Sequence, residues 1–458
     1  MSDASREAQL TFYGAAGSVT GSSFLLEYGD TAVVIDCGLV QGERFSEEEN
    51  AKPLPYEPGS VNAVLITHAH LDHIGRLPVL VRNGYRGPII STPETLAIAK
   101  LMFEDGVEIM HHEAERTGTT PPYTSADVGE ALKLWETRKY HEPFRIGGHM
   151  DVVLLDAGHI LGSAMIQVTV SGTKFLFTGD LGNSPAPLLR STEPPEDVSY
   201  LVMESVYGDR NHESVDERRE KLESIIENTV RDKGVLMIPA FSIERTQVLL
   251  YEINRLVEQG KVPAVPVFLD SPLAIKVTDV YRRNQLEFNE HTKNIIASGD
   301  DIFKFPGLTF TDSVQESKAI NDIPPPKIII AGSGMSQGGR ILHHEKHYLP
   351  DHNSTILFVG YQTAGSLGRK ILDGAKEVTI HGERIPVHAR VRSIFAYSSH
   401  KDSDHLVEFV HSTLDTVHTV FLVMGEPRTS LFLAQRLRDY LGVKAIVPER
   451  AQSFRLRV

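Results

Sequence analysis

The sequence predicts an α/β protein: a mostly β sandwich that carries a metal site, interrupted by an inserted domain built on a parallel sheet. Three observations predict it. The stretch His68-Ala69-His70-Leu71-Asp72-His73 packs three imidazoles and a carboxylate directly after the apolar run from Val61 to Ile66, which reads as a buried strand. Three more strand-like runs further on each end in a lone histidine, aspartate or glutamate. Between Gly208 and Arg384 the pattern changes to strand and helix in alternation, which means a parallel sheet with flanking helices.

Composition bounds the problem before any motif does. At 458 residues with 41% hydrophobic content the chain can bury a large core and suggests two or three domains. It contains no long apolar run of the kind that spans a bilayer, and Met1 to Glu7 lacks a basic region followed by an apolar one, so neither a span nor a secretion signal is expected. The single cysteine, Cys37, rules out an internal disulfide and fits a cytoplasmic location; beside Asp36 it reads as a small buried residue. The formal charge of −14 argues against attraction of nucleic acid by the overall field, though a local basic groove remains open. From Gly208 to Arg384 there are 22 Lys and Arg against 25 Asp and Glu, so most of the negative charge lies in the flanking segments.

In chain order, Gln9–Tyr13, Phe24–Tyr28 and Thr31–Asp36 read as short strands. The glycine-rich piece Gly14 to Ser22 is not followed by a helix, fits no dinucleotide fingerprint, and reads as a tight connection near a site. Asp36 ends its strand as a carboxylate able to orient a metal-bound histidine, with a plain turn aspartate as the alternative. In the cluster, His68 and His70, two apart on extended backbone, project to one side and can grip one ion. Asp72 and His73 fall where the chain turns into a helix, Ile74 to Arg82, and could grip a second. Six residues cannot close a tetrahedral shell unaided, so distant ligands are expected.

A strand near Pro88 to Ser91 and a helix from Pro93 to about Glu115 follow; His111 and His112 in it have no partner at metal-ligand spacing and read as solvent-facing. Ser125 is a plausible N-cap for a helix Ala126 to Lys139 that carries the sole tryptophan, Trp135. Strands then return at Asp151–Leu155, Ala164–Val170, Lys174–Phe177 and Tyr200–Met203. They lead into His159, Asp180 and Glu204, three strand-end groups that shift the balance toward a dinuclear site.

The alternating segment holds helices Ser214–Arg231, Ile243–Glu258, Pro272–Arg283, Gly338–His347 and Leu367–Asp373. Its strands are Val235–Ile238, Val265–Leu269, Lys327–Ala331 and Thr355–Val359. Its glycine-rich stretches, Gly332 to Arg340 and Gly360 to Arg369, follow strands, and backbone amides there could bind phosphate. Neither matches a Walker A loop, so ATP hydrolysis is not expected; ordinary glycine turns are the alternative. Beyond Arg384 come Val391–Tyr397, a loop histidine in Ser398-Ser399-His400-Lys401-Asp402, helix Ser403–His411, strand Val417–Met424, helix Arg428–Leu441 and a final Phe454–Val458.

Together these stations resemble the metallo-β-lactamase superfamily, and the insert makes the chain similar to its β-CASP branch of RNA-processing nucleases. Asp36 matches the first superfamily motif, His68, His70, Asp72 and His73 the second, His159 the third and Asp180 the fourth. Glu204 and His400 match branch-specific motifs, as do Ile238 to Phe241, Asp270 to Leu273, Gly334-Met335 with Gly338 to Arg340, and Gly360 to Gln362. The resemblance implies an αββα sandwich over residues 1–207 and 385–458 with the β-CASP insert at 208–384. By that resemblance His68, His70 and His159 would hold one zinc, Asp72 and His73 a second, and Asp180 would bridge. His400, oriented by Glu204, would be a general acid, giving a catalytic set of Asp36, Asp72, Glu204 and His400. Ser333, Gly334, Gly339, Arg340 and Gln362 would clamp RNA phosphates.

The implied activity is a zinc-dependent ribonuclease acting on single-stranded RNA, endonucleolytic or also 5′–3′ exonucleolytic, with a homodimer among its expected states. The alternatives are a non-catalytic RNA-binding scaffold and a hydrolase of small esters or thioesters. One departure stands out: in Phe421 to Pro427, Met424 takes the place of the family's last ligand histidine. A thioether is a poor zinc ligand, so the second metal is expected to be weaker, differently held or absent. Without an added N-terminal RNA-binding domain or a long C-terminal extension, close equivalence to the archaeal cleavage factors or ribonuclease J is not expected.

Overall fold

The structure, a computed structural model, describes residues 7–41, 46–363 and 365–458. Expectations for the residues before Glu7, for Ala364 and for the side chain of His112 lie outside the described residues. The chain divides into two compact units, one of residues 1–211 with 400–458 and one of residues 212–399.

The first unit is built on two seven-stranded sheets. One runs, edge to edge, through Gln452–Arg457, Glu7–Phe12, Phe24–Tyr28, Thr31–Ile35, Ala63–Leu65, Ile89–Ser91 and Trp135–Thr137. The other runs through Ala445–Ile446, Thr419–Val423, Tyr200–Glu204, Thr173–Phe177, Ala164–Val170, Met150–Asp156 and Phe144–Ile146. Alternation in the strands explains why they face each other. Leu10, Phe12, Leu26, Val33 and Ile35 of the first sheet meet Val152, Leu154, Ile166, Val168, Phe175 and Phe177 of the second in one core. Fully burying each such side chain stabilises by about 2 kcal/mol. The opposite face of the second sheet, with Met165, Leu176, Leu201 and Leu422, packs against Leu406 and Val410 of helix Ser403–His411 and Leu433 and Leu437 of helix Pro427–Leu441. This is the sandwich with helices outside that the sequence predicts.

The second unit carries a six-stranded sheet in the order Leu308–Phe310, Val267–Asp270, Lys327–Ala331, Val235–Pro239, Thr355–Phe358, Arg390–Ser393. Every pair in it is parallel, as strand and helix alternation requires. The strand Arg390–Ser393 pairs with Thr355–Phe358, so this unit continues past the expected return at 385 and ends at Ser399.

Other expectations shift for local reasons. The helix expected over Ala126–Lys139 spans Ser125–Lys133 and is capped by Thr124, whose side chain pairs reciprocally with Asp127. Trp135 then belongs to a strand beside Ile89–Ser91, because its ring is buried there with the indole N–H on Ser91 Oγ at 2.9 Å. The loop-rich stretch 306–326 contains a strand and the helix Val314–Ala319, and a hairpin over Glu377–Ile380 and Glu383–Pro386 carried no strong turn signal. Among the described residues no helix is long and apolar enough to cross a membrane.

Asp270 organises the second unit. Its side chain is fully buried and accepts from Arg340 Nη1 at 2.8 Å, His344 Nε2 at 2.7 Å, Thr311 Oγ1 at 2.8 Å and Ser317 Oγ at 2.6 Å. Burial alone would raise its pKa, but these hydrogen bonds outweigh burial and hold it at about 2. Arg340 also donates to the carbonyls of Thr311 and Asp312. A guanidinium so engaged ties loops together, which competes with the phosphate contact expected of it. Gln362 is likewise buried, its amide on the carbonyls of Gly334 at 2.9 Å and Gly360 at 3.3 Å. Gly334 is needed as glycine, since a Cβ there would come within 2.7 Å of the Phe241 ring. The two glycine stretches thus brace each other.

A depressed carboxylate pKa gives stability that is present above the unfolded value and lost as pH falls through the folded one. Urea titrations should therefore show this unit weakening between about pH 4 and pH 2. Arg340→Met should cost about 3 kcal/mol at neutral pH, because it leaves a buried carboxylate short of its cation, and an unchanged midpoint would contradict that account.

Candidate metal centre

Strand Ala63–Leu65 delivers Thr67 and His68 to the edge of the sandwich, and His70 then becomes the N-cap of a single helical turn, Leu71–Ile74. A second helix, Leu77–Arg82, starts separately after Arg76. The expected continuous helix is therefore broken at Gly75, where a Cβ would strike the Leu71 carbonyl and the Leu39 side chain.

Four ligand atoms converge. His68 Nε2 lies 3.0 Å from His70 Nδ1, which lies 3.4 Å from His159 Nε2. Asp180 Oδ2 is 3.5 Å from His68 Nε2 and 3.4 Å from His159 Nε2. Edges of this size are close to those of a tetrahedral shell with metal–ligand bonds of about 2.0–2.2 Å, roughly 3.3–3.6 Å between donors. Three imidazole nitrogens turned on one point and on a carboxylate, nearly all out of water, fit a cation better than a hydrogen-bond network. Burial first, then the neighbouring His73, His70 and His159, push the His68 pKa far down, so it stays in the neutral form a metal takes.

Asp180 reaches toward a second position. Its Oδ1 lies 3.6 Å from His73 Nε2, while His73 Nδ1 donates to Asp36 Oδ2 at 2.7 Å. Among the described residues, the groups whose ligand atoms cluster tightly enough for a metal are His68, His70, His159 with Asp180, and Asp180 with Glu204 and His400. Asp72 and His73 belong to neither. Met424 is 1% exposed and lies in the core between the sheets, its backbone at φ 50° and its N–H on the Ala15 carbonyl at 2.7 Å.

Sequence reasoning singled out Asp36 but missed the residue that extends its reach. Asp36 sits at φ 59° with 0% exposure and accepts from the Thr67 amide at 2.9 Å, from Thr67 Oγ1 at 2.9 Å and from Ser22 Oγ at 3.3 Å. Thr67 Oγ1 is also 3.1 Å from His68 Nδ1. With His68 Nε2 as the ligand atom, Nδ1 carries the proton and donates to Thr67, which in turn donates to Asp36. One carboxylate so orients His73 directly and His68 through a hydroxyl. Ser163 is a second residue missed, its Oγ accepting from the amides of His159 and Ile160. The only signal for Thr67 was a hydroxyl next to a ligand, and Ser163 stands four residues beyond His159 with no signal of its own.

His400 is half-buried and bridged to Gly182. Its Nδ1 is 3.1 Å from Glu204 Oε2, and the fully buried Glu204 also accepts from the Leu181 amide at 2.5 Å. Ser333, Gly334, Gly339, Arg340 and Gln362 all lie in the other compact unit.

Comparison with known proteins agrees with this architecture. Residues 16–228 match the metallo-beta-lactamase superfamily, 246–371 the Beta-Casp domain and 384–448 the Zn-dependent metallo-hydrolase RNA specificity domain. Ribonuclease TTHA0252 of Thermus thermophilus is 37% identical over 425 residues, covering 93% of this chain and 95% of that protein. The chain belongs to the β-CASP branch of the metallo-β-lactamase superfamily. Transcription termination factor FttA of Cenarchaeum symbiosum is 32% identical over 467 residues, 98% of this chain and 71% of the relative. FttA of Methanosarcina mazei is 29% identical with the same coverage. A crystal structure of a protein of unknown function from Enterococcus faecalis V583 shares the fold, with TM-score 0.57 and 14% identity over 98% of this chain and 100% of that one. As a β-CASP protein the chain is a metal-dependent hydrolase, and the convergent His and Asp cluster is where a metal fits.

Substitutions at two positions check the orienting role of Asp36. Asp36→Asn and Thr67→Val should each lower metal affinity about 10- to 100-fold in a chelator competition, with Thr67→Ser close to wild type. Equal loss in Thr67→Ser would point to packing instead of the hydroxyl.

Proposed function

We propose that this protein is a zinc-dependent ribonuclease that hydrolyses phosphodiester bonds in single-stranded RNA, endonucleolytically and with 5′–3′ exonucleolytic cleavage as a second mode, in the cytoplasm. The observation that carries this reading is the convergence of His68, His70, His159 and Asp180 on one point, with four neighbouring separations of 3.0–3.5 Å and all ligand atoms within 4.8 Å of one another, beside the His400–Glu204 pair. RNA is favoured over a small ester by the match of residues 384–448 to an RNA specificity domain and by the likeness to a protein named as a ribonuclease.

His68, His70, His159 and Asp180 would hold the first zinc; a second is left to the Asp72 and His73 side, where His73 Nε2 lies 3.6 Å from the other oxygen of Asp180 and no tight cluster forms among the described residues, so it would be held more weakly. Zinc held by these residues would supply Lewis acidity, lowering the pKa of a water and offsetting charge on the phosphate. The chain's own residues supply the rest. Asp36 and Thr67 keep the ligand imidazoles in one tautomer. The Nδ1 of His400 is engaged by Glu204, so it exchanges protons with the substrate through Nε2, giving one to the departing 3′ oxygen. Arg340 and Gln362 are left out of the phosphate grip because both are engaged in bracing loops.

Two measurements test the reading. His400→Ala should cut cleavage of single-stranded RNA by about 10²- to 10⁴-fold at unchanged zinc content. Wild-type, metal-replete protein that leaves the RNA intact would overturn the proposal. Elemental analysis should find one tightly held zinc per chain in wild type and more in Met424→His, since histidine is the residue that the family resemblance expects there as a ligand and it tolerates the left-handed backbone of that position. No bound zinc in wild type would favour the non-catalytic scaffold.

A further inference from the structure

Between strands Thr173–Phe177 and Tyr200–Glu204 the chain passes through residues 188–193, which hold none of the candidate ligands. Leu188 and Leu189 are buried, at 0% and 4% exposure, and seat the start of this segment in the first unit. Beyond them it lies across the turn that carries His159. Gly158 is left-handed at φ 64°, and a Cβ on it would come within 2.7 Å of both the Arg190 carbonyl and the Thr192 amide. The backbone of the segment therefore rests directly on the residue before a ligand.

Three side chains fasten it there. Arg190 Nε donates to Asp156 Oδ2 at 3.0 Å, and Asp156 Oδ1 accepts from the Gly158 amide at 2.9 Å. The Arg190 guanidinium also lies 5.8 Å from the centre of the Tyr140 ring, whose hydroxyl donates to the Ser163 carbonyl at 2.8 Å. Ser163 Oγ in turn accepts from the His159 amide at 3.0 Å. One guanidinium so reaches both ends of the His159 turn. Glu193 adds a backbone clasp: its amide donates to the Asp156 carbonyl at 3.0 Å, and its carboxylate accepts from the Asp156 amide at 3.1 Å.

Thr192 joins this turn to that of a second ligand. Its Oγ1 lies 2.8 Å from the Ala157 carbonyl and 3.1 Å from the Gly182 carbonyl, so one hydroxyl proton is shared between the approach to His159 and the exit from Asp180. The two turns also touch directly. The Gly182 amide donates to the Ala157 carbonyl at 2.8 Å, and a Cβ at Gly182 would strike the Gly158 carbonyl. The 3.4 Å between His159 Nε2 and Asp180 Oδ2 thus depends on how these turns are held together.

We propose that residues 188–193 are a positioning strap for the metal centre, with Arg190 and Thr192 the residues that keep His159 and Asp180 at the spacing one ion needs. The inference rests on the zinc-binding part of the reading above and not on RNA as the substrate.

The test uses the full-length protein loaded with zinc, as wild type, Thr192→Val, Thr192→Ser and Arg190→Gln. In a chelator competition, zinc affinity should fall about tenfold in Thr192→Val and in Arg190→Gln, and stay within about threefold of wild type in Thr192→Ser. In amide hydrogen exchange, Gly158, His159 and Gly182 should exchange about fivefold faster in Thr192→Val, the effect of one lost hydrogen bond, with strand Phe24–Tyr28 unchanged. Zinc affinity unchanged in both Thr192→Val and Arg190→Gln would overturn the strap, as would a loss in Thr192→Ser equal to that in Thr192→Val. Faster exchange throughout the first unit would assign Thr192 to general stability and overturn its positioning role. Wild type that takes up no zinc would count against the zinc reading, while exchange at the two turns would still judge the strap.

Discussion

The buried carboxylate of Asp36 is the constraint on which the metal centre depends. It is fully out of water and is matched by His73, by Thr67 twice over and by Ser22. An ionised carboxylate removed from water is tolerable only when its lone pairs are all engaged. Those same engagements lock the turn from Thr67 to His73 against the end of strand Thr31–Ile35. The site is therefore rigid because a charge was buried and had to be satisfied, and the ligand imidazoles inherit that rigidity.

The second compact unit repeats the device with a different outcome. Asp270 is also fully buried and also saturated with hydrogen bonds, but its partners are an arginine, a histidine and hydroxyls drawn from two helices and the loops beside them. There the buried charge gathers loops instead of ligands. Arg340, at the end of a glycine-rich stretch with the look of a phosphate grip, is drawn into that network.

The ligand types were legible because metal chemistry restricts them to a few residues, and because His68, His70, Asp72 and His73 fall together after an apolar strand. The three distant strand-end groups, His159, Asp180 and Glu204, were legible for the same reason: a polar residue at the end of a buried strand is unusual. Thr67 and Ser163 were not, since a hydroxyl beside a ligand has no distinctive spacing. The helix expected through Trp135 failed because tertiary burial of the indole against Ser91 outweighed a helical pattern of modest strength. The final strand of the insert was misplaced because Arg390–Ser393 has no buried run to mark it, and only its pairing with Thr355–Phe358 assigns it.

By itself, the sequence determined the order of the candidate ligands, the α/β insert and the family, since these depend on residue type and near-neighbour periodicity. Tertiary structure alone decided that Asp180 faces two positions, that one carboxylate orients two histidines through Thr67, and that Arg340 and Gln362 brace loops. It also decided that Met424 packs in the core between the sheets. Each of these is a contact between residues far apart in the chain, made or lost by which buried group needed a partner, and local pattern holds no record of that need.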